Sequence, residues 1–338
     1  MPVLVQVTRG SRVESVHSGT IVIAGPDSAI RAVGDPRLVI FPRSSLKPFQ
    51  AVPLVALGGL ERFGLDDEAL ALICASHTAG ERHLAVVAKI LAAIDAPESA
   101  FRCPPGLPGR VAGGRRPGDT RPPSAIAHQC SGKHAGMLAL AALLGAPFDG
   151  YLRLDHPVQR TIRRSLEVLF GPGALRAVAT DGCNAPAYAV PLETLARGFG
   201  LLGRPAGQLA GALERIGQAM RSHPTLISGD EGFLDTALME TTPGLVAKRG
   251  AEGVFAAGLA DGRGLAIKVR DGDPTGRAVG SAVVTALADL GALDGAALAP
   301  NVAAFGPVVH LHDLAGEPIG SVRPASALVR LGRSLAAG

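Results

Sequence analysis

Residues 245–270, LVAKRGAEGVFAAGLADGRGLAIKVR, read as three short strands. Residues 245–249, 253–259 and 265–270 run apolar or alternate. Glu252-Gly253 and Asp261-Gly262-Arg263-Gly264 interrupt them with residues that favour chain reversal. The first forty residues have the same character. Residues 3–7, 13–17, 20–24 and 30–33 are strand-like, separated by Arg9-Gly10-Ser11, Gly25-Pro26-Asp27 and Gly34-Asp35-Pro36, and Val39-Ile40-Phe41 closes the meander. Between the two ends the period changes. Residues 46–57, 66–76, 81–94, 132–144, 157–170, 191–200 and 207–222 carry apolar faces at helical spacing. A helix over 275–290 and strands over 308–312 and 319–322 end the chain. Strands at both ends and helices between predict an α+β fold, an antiparallel sheet built from both chain ends with an inserted helical lobe. We read residues 1–338 as a single catalytic unit, with a sheet lobe at approximately 1–42 and 243–330 and a helical lobe at approximately 43–242.

Composition narrows the function. Of 338 residues 47% are hydrophobic and 18% charged, which supplies a large core and argues against disorder. The net charge of +4 is mild, Lys/Arg blocks stop at Arg115-Arg116 and Arg163-Arg164, and two tyrosines without tryptophan offer little for base stacking. That excludes a nucleic-acid surface. The longest strongly apolar run, around residues 136–148, is too short to span a bilayer. The start, Met1-Pro2-Val3-Leu4-Val5, lacks the basic and apolar regions of a secretory signal. Four cysteines, Cys74, Cys103, Cys130 and Cys183, do not make a disulfide scaffold, so the expected setting is a reducing cytoplasm. Residues 102–123, rich in Pro, Gly and Arg, read as a lid or a surface excursion.

Three short segments carry chemistry. In Pro42-Arg43-Ser44-Ser45-Leu46-Lys47-Pro48, Ser44 and Lys47 are three apart and share a helix face. A serine hydroxyl needs an adjacent base at neutral pH, and a desolvated lysine can serve. Pro48 suits a first helical turn, and Ser45 is placed to cap it. In Gln129-Cys130-Ser131-Gly132-Lys133-His134, a P-loop is rejected because Ala127 stands where its first glycine belongs. Cys130 instead sits at a helix start, which favours a thiolate. Asp181 lies in the polar turn Thr180-Asp181-Gly182-Cys183-Asn184 and could hold a substrate ammonium group. Ser76, in Ala75-Ser76-His77, offers a second hydroxyl, and Lys268 is a lysine within an otherwise apolar strand. His83, His223, His310 and His312 show no ligand spacing.

In this order, Arg43 to Gln50, Ser76-His77, Cys130 to His134, Asp181 to Cys183, Lys248-Arg249-Gly250-Ala251-Glu252-Gly253 and Lys268 resemble the serine-dependent L-asparaginase II family of the Rhizobium type. The resemblance covers nearly the whole chain. It implies a fold like that of penicillin-recognising serine hydrolases and glutaminases, and hydrolysis of L-asparagine to L-aspartate and ammonia. It implies two tandems, Ser44 with Lys47 and Ser76 with Lys268, and a zinc site from Cys130, Lys133 and Cys183 with water. Asp181 is expected to bind the substrate α-ammonium, with Arg43 or His134 orienting its carboxylate. A homodimer is expected on the same basis. A cysteine that some members carry ahead of the last lysine is Val254 here. The competing readings are a glutaminase, a serine acyl-hydrolase acting on β-lactams, and a thiol-metal scaffold without catalysis.

Overall fold

The computed structural model describes residues 1–111, 114–115, 120–230 and 232–329. Eight strands form the main antiparallel sheet: β1 (Val3–Arg9), β2 (Arg12–Ala24), β3 (Ile30–Val33), β7 (Val246–Arg249), β8 (Val254–Gly258), β9 (Gly264–Val269), β10 (Val309–His312) and β11 (Pro318–Pro324). Their order is β10-β11-β1-β2-β9-β8-β7, with β3 also on β2. Both chain ends thus share one sheet, as the strand pattern required. β4 (Val39–Ile40), β5 (Ala177–Thr180) and β6 (Pro186–Pro191) form a second, small sheet in the order β4-β6-β5.

Two strand expectations need correction. Residues 13–24 are one strand rather than two, because its first half pairs with β1 and its second half with β9. The chain changes partner without reversing. Residues 39–40 do not close the meander; Ile40 pairs with Val190 of β6. Strand β6 begins and ends in proline, which hides it from a propensity reading. Of the loop expected at 102–123, residues 112–113 and 116–119 lie outside the described residues.

The helical lobe comprises α1 (Lys47–Ala56), α2 (Asp67–Ile73), α3 (Glu81–Ala93), α4 (Ser131–Leu143), α5 (Pro157–Phe170), α6 (Leu192–Gly203), α7 (Ala210–Ser222) and α8 (Leu234–Thr241), with shorter turns between. Helix α9 (Arg277–Asp289) packs against β1, β9 and β11. Helix α1 is buried over most of its length and touches α4, α5 and α7. No helix among the described residues is long and apolar enough to cross a membrane.

Helix α6 joins the lobe to the sheet by backbone contact. A Cβ on Gly264 would lie 1.8 Å from the Ala196 carbonyl oxygen, and one on Gly258 would lie 1.8 Å from that of Phe199. Neither neighbour can rotate away, since both are backbone. Gly264→Ala should therefore lower stability in urea by about 1–3 kcal/mol. Gly211→Ala, in α7 with open space at the Cβ, should raise it by roughly 0.5–1 kcal/mol.

Candidate active site

Lys47 opens α1 and is only 1% exposed. Its Nζ donates to the Ala75 carbonyl and, at 2.9 Å, to Ser76 Oγ. Burial is the main reason its pKa is lowered; the Cys130 thiol pulls it up and the Lys133 charge pushes it down. Ser44 precedes it on a single 3-10 turn, Arg43–Leu46, and the Lys47 backbone N–H donates to the Ser44 carbonyl. Ser44 Oγ is half-buried and has no hydrogen-bond partner among the described residues. The structure therefore joins Lys47 to Ser76 and leaves the Ser44 hydroxyl open. Ser45 does not cap α1: it is buried, and its Oγ donates to the Lys248 carbonyl at 2.9 Å.

The second lysine is not where the sequence reading put it. Lys268 is half-buried and donates to the Glu252 carbonyl, whereas the hydrogen bond to Ser76 Oγ comes from Lys47. Lys248, which stood in a quoted motif without a role, is 0% exposed, with Nζ 3.5 Å from Asp235 Oδ2. Burial drives its pKa down to about 7. Asp235 resists that shift, and the nearby Arg249 and Lys47 charges reinforce it. Both lysines sit in short apolar strands, so local pattern could not separate them. Their scarcity could have raised a flag: the chain has five lysines, and three of them, Lys47, Lys133 and Lys248, are buried.

Cys130, Lys133 and Cys183 come together. Lys133 Nζ donates to Cys183 Sγ at 2.9 Å, and the two thiols are hydrogen-bonded. The Cys183 thiol donates to Cys130, which lowers the Cys130 pKa well below its usual value and keeps Cys183 protonated. Burial opposes the charge on Lys133, but the two sulfurs outweigh it and its pKa is raised. Among the described residues no group of three His, Cys, Asp or Glu side chains could hold a metal, and the nitrogen that contacts Cys183 here is that of Lys133. Close packing places the group. A Cβ on Gly132 would meet the Leu72 carbonyl at 2.1 Å, so α4 lies directly against α2 and carries Cys130 and Lys133 to residues 74–76.

Arg43 and Asp181 are paired with each other, through Nη2 at 2.8 Å and Nε at 3.2 Å to the same carboxylate oxygen. Burial raises the Asp181 pKa, yet the Arg43 hydrogen bonds and the Lys133 charge hold it below the usual carboxylate range. Arg43 adopts a left-handed φ of 53°, and Gly250 packs where a Cβ would meet the Pro42 carbonyl at 2.4 Å. The end of β7 is thus pressed against the Ser44 turn. His134 departs from expectation. It is 0% exposed and faces inward, with Nδ1 2.5 Å from the Tyr151 hydroxyl. Burial lowers its pKa well below 6.5, so it is a neutral core group.

The sequence matches the profile of the L-asparaginase II family over residues 5–324. No curated protein sequence matches it. Solved structures with a similar course include a putative β-lactamase from Bacteroides dorei, 14% identical over 75% of this chain and 85% of that one, with a TM-score of 0.38. A probable glutaminase from Bacillus subtilis, complexed with 6-diazo-5-oxo-L-norleucine, is 15% identical over 77% of this chain and 81% of that one, at 0.34. Overlaps this loose say nothing of substrate.

Lys248 leaves a signature in stability. Folded, it loses its proton near pH 7; unfolded, near 10.5. Between those values the unfolded chain binds more protons, so this lysine makes stability rise with pH, and below about 7 it adds no slope. Urea denaturation from pH 7 to 9 should show that rise in the wild type, approaching about 1.4 kcal/mol per unit, and Lys248→Met should flatten it.

Proposed function

The chain belongs to the L-asparaginase II family, and on that premise we propose that it hydrolyses the side-chain amide of L-asparagine to L-aspartate and ammonia through a serine acyl-enzyme. The observation that carries the mechanism is the fully buried Lys47 hydrogen-bonded to Ser76, with Ser44 on the turn that leads into Lys47. Neutral Lys47 has two N–H groups, and Ala75 and Ser76 accept both. Its lone pair is then free to take the Ser44 proton. Ser44 attacks the amide carbon, and backbone N–H groups stabilise the oxyanion. The proton travels from Lys47 through Ser76 to the departing ammonia, with the Lys248 ammonium as a further donor. Water then cleaves the acyl-enzyme by the reverse route. The Arg43–Asp181 ion pair presents one charge of each sign, complementary to the α-carboxylate and α-ammonium of an amino acid.

The same Lys47–Ser76 hydrogen bond supports a second reading, in which Ser76 is the nucleophile. Ammonia release and mass spectrometry of the trapped acyl-enzyme separate the two. Ser44→Ala should drop turnover by at least about a thousand-fold and abolish the acyl adduct. Ser76→Ala should cost about 10²–10⁴-fold and retain a slow adduct. An adduct lost only in Ser76→Ala would transfer the role to Ser76. L-Glutamine, longer by one methylene, should be a poorer substrate by roughly 1–3 kcal/mol in transition-state binding.

Two thiols and an amine suit zinc, and we propose that Cys130, Lys133 and Cys183 hold it. Held by these three residues, zinc would supply a fixed positive charge and Lewis acidity. Lys133 must give up its proton to serve as a donor, so affinity rises with pH. Metal analysis should find about one zinc per chain, and added zinc should raise the thermal midpoint. Cys183→Ser should lose both effects. Four free, buried cysteines accord with a reducing cytoplasm, and we expect the enzyme to act there as a homodimer on a small-molecule amide.

A further inference from the structure

Asp235 belongs to none of the motifs that suggested the function, yet it is 0% exposed at the start of α8. Its carboxylate is fully engaged. Ser228 Oγ donates to both oxygens at 3.0 Å, the Arg249 backbone N–H donates to Oδ2 at 3.1 Å, and the Thr236 N–H donates to Oδ1 at 3.2 Å. Lys248 Nζ lies 3.5 Å from Oδ2. Burial alone would protonate such a group, but Lys248, Arg249 and these donors hold it ionised.

The network continues to the serines. Ser228 Oγ accepts from Arg249 Nε at 3.1 Å, and Arg249 Nη2 donates to the Ser76 carbonyl at 3.1 Å. The guanidinium lies 4.3 Å from the centre of the Phe233 ring, which limits its rotation. Ser76 Oγ in turn accepts from Lys47. One buried carboxylate is therefore connected along one branch to Lys248, and along the other to the backbone of Ser76.

We propose that Asp235 is a positioning residue for the amide hydrolysis: its carboxylate keeps Lys248 cationic beside Lys47 and, through Ser228 and Arg249, fixes the Ser76 backbone. This rests on the hydrolase reading above. The groups facing Lys248 are Asp235 from α8, Arg249 from its own strand, Lys47 from α1 and the Cys74 thiol after α2. Arg249 is cationic and opposes its charge, as Lys47 does whenever it is protonated; Asp235 is the carboxylate that favours it. Without that carboxylate Lys248 gives up its proton at lower pH. The enzyme then loses a donor to the departing ammonia, which sets the alkaline limit of kcat/KM.

Five lysines make a direct titration practical. Protein labelled with [13C]lysine would be followed by NMR from pH 5 to 10, with the Lys248 signal assigned by its absence in Lys248→Met. Asp235→Asn, which keeps the shape and removes the charge, should lower the Lys248 midpoint by about one pH unit or more. The alkaline limb of kcat/KM for L-asparagine should move down equally, with activity above it falling about ten-fold per unit. Below the limb a smaller, pH-independent loss should remain, from the loosened Ser76 backbone. A midpoint that stays in place overturns the link from Asp235 to Lys248. A midpoint that falls while the limb stays, or a loss equal at every pH, overturns the positioning role. If Asp235→Asn does not fold, Ser228→Ala keeps the carboxylate and removes one donor to it. Its Lys248 midpoint should rise, and an unchanged midpoint would sink the proposal. Absence of ammonia release from wild type would refute the asparaginase reading alone, since the titration needs no substrate.

Discussion

The removal of three lysine side chains from water governs how the lobes meet. An ammonium group without partners is not tolerated in an apolar interior, so each of Lys47, Lys133 and Lys248 requires its own acceptors. The three solutions differ. Lys47 has a carbonyl and a hydroxyl, which suit a neutral amine. Lys133 has two sulfurs, which favour the charged form. Lys248 has a carboxylate. The neighbouring cations also oppose one another: Lys133 and Lys248 both lie close enough to Lys47 for charge repulsion to matter. For Lys47 that repulsion adds to burial and favours the neutral amine, the state that the proposed serine-activating base requires.

Supplying those acceptors draws on most of the chain. The Lys47 acceptors lie just after α2, the sulfurs precede α4 and follow β5, and the carboxylate opens α8. Such groups can meet only if their elements approach closely, and glycine permits it: α4 lies on α2 at Gly132, and β7 reaches the Ser44 turn at Gly250. The backbone contact of α6 with β9 at Gly264 holds the sheet under the lobe at the same spacing. Packing and chemistry therefore depend on each other here. A side chain added at any of these glycines would separate polar groups that have no water to replace their partners.

Much of this could be read from the sequence, and the failures have a physical pattern. Strands at both ends, helices between, and the order of the motif-bearing segments were legible because they are periodic or local. Cys130 and Lys133 meet Cys183, distant in sequence, in the fold, and Arg43 lies beside Asp181. Ser76 Oγ takes its hydrogen bond from Lys47, while Lys268 donates to the Glu252 carbonyl and the fully buried Lys248 lies against Asp235, a difference that local sequence does not carry. His134 looked polar enough to touch substrate, yet its position in α4 turns it toward Tyr151. Asp235 was invisible. A single acid at the start of a short helix looks like any surface residue until the fold closes over it.

The division of labour between the two basic residue types gives the site its logic. Arginine cannot lose its proton at any working pH, so Arg43 and Arg249 can only bind and brace, one against Asp181 and the other against the Ser76 carbonyl. Lysine can be tuned, and the chain puts three of its five lysines where burial does the tuning. Exchanging the types would fail in both directions. An arginine at position 47 would leave no base for a serine, and a lysine at position 249 would lose the planar fork that reaches Ser228 and Ser76 together. The buried acid completes the scheme. Without Asp235, Lys248 and Arg249 would repel each other, and Lys47 too when it is protonated, and the least costly relief would be to discharge Lys248. In the proposed mechanism, the proton that Lys248 holds for the leaving group is thus maintained by a residue several hydrogen bonds from the serine that starts the reaction.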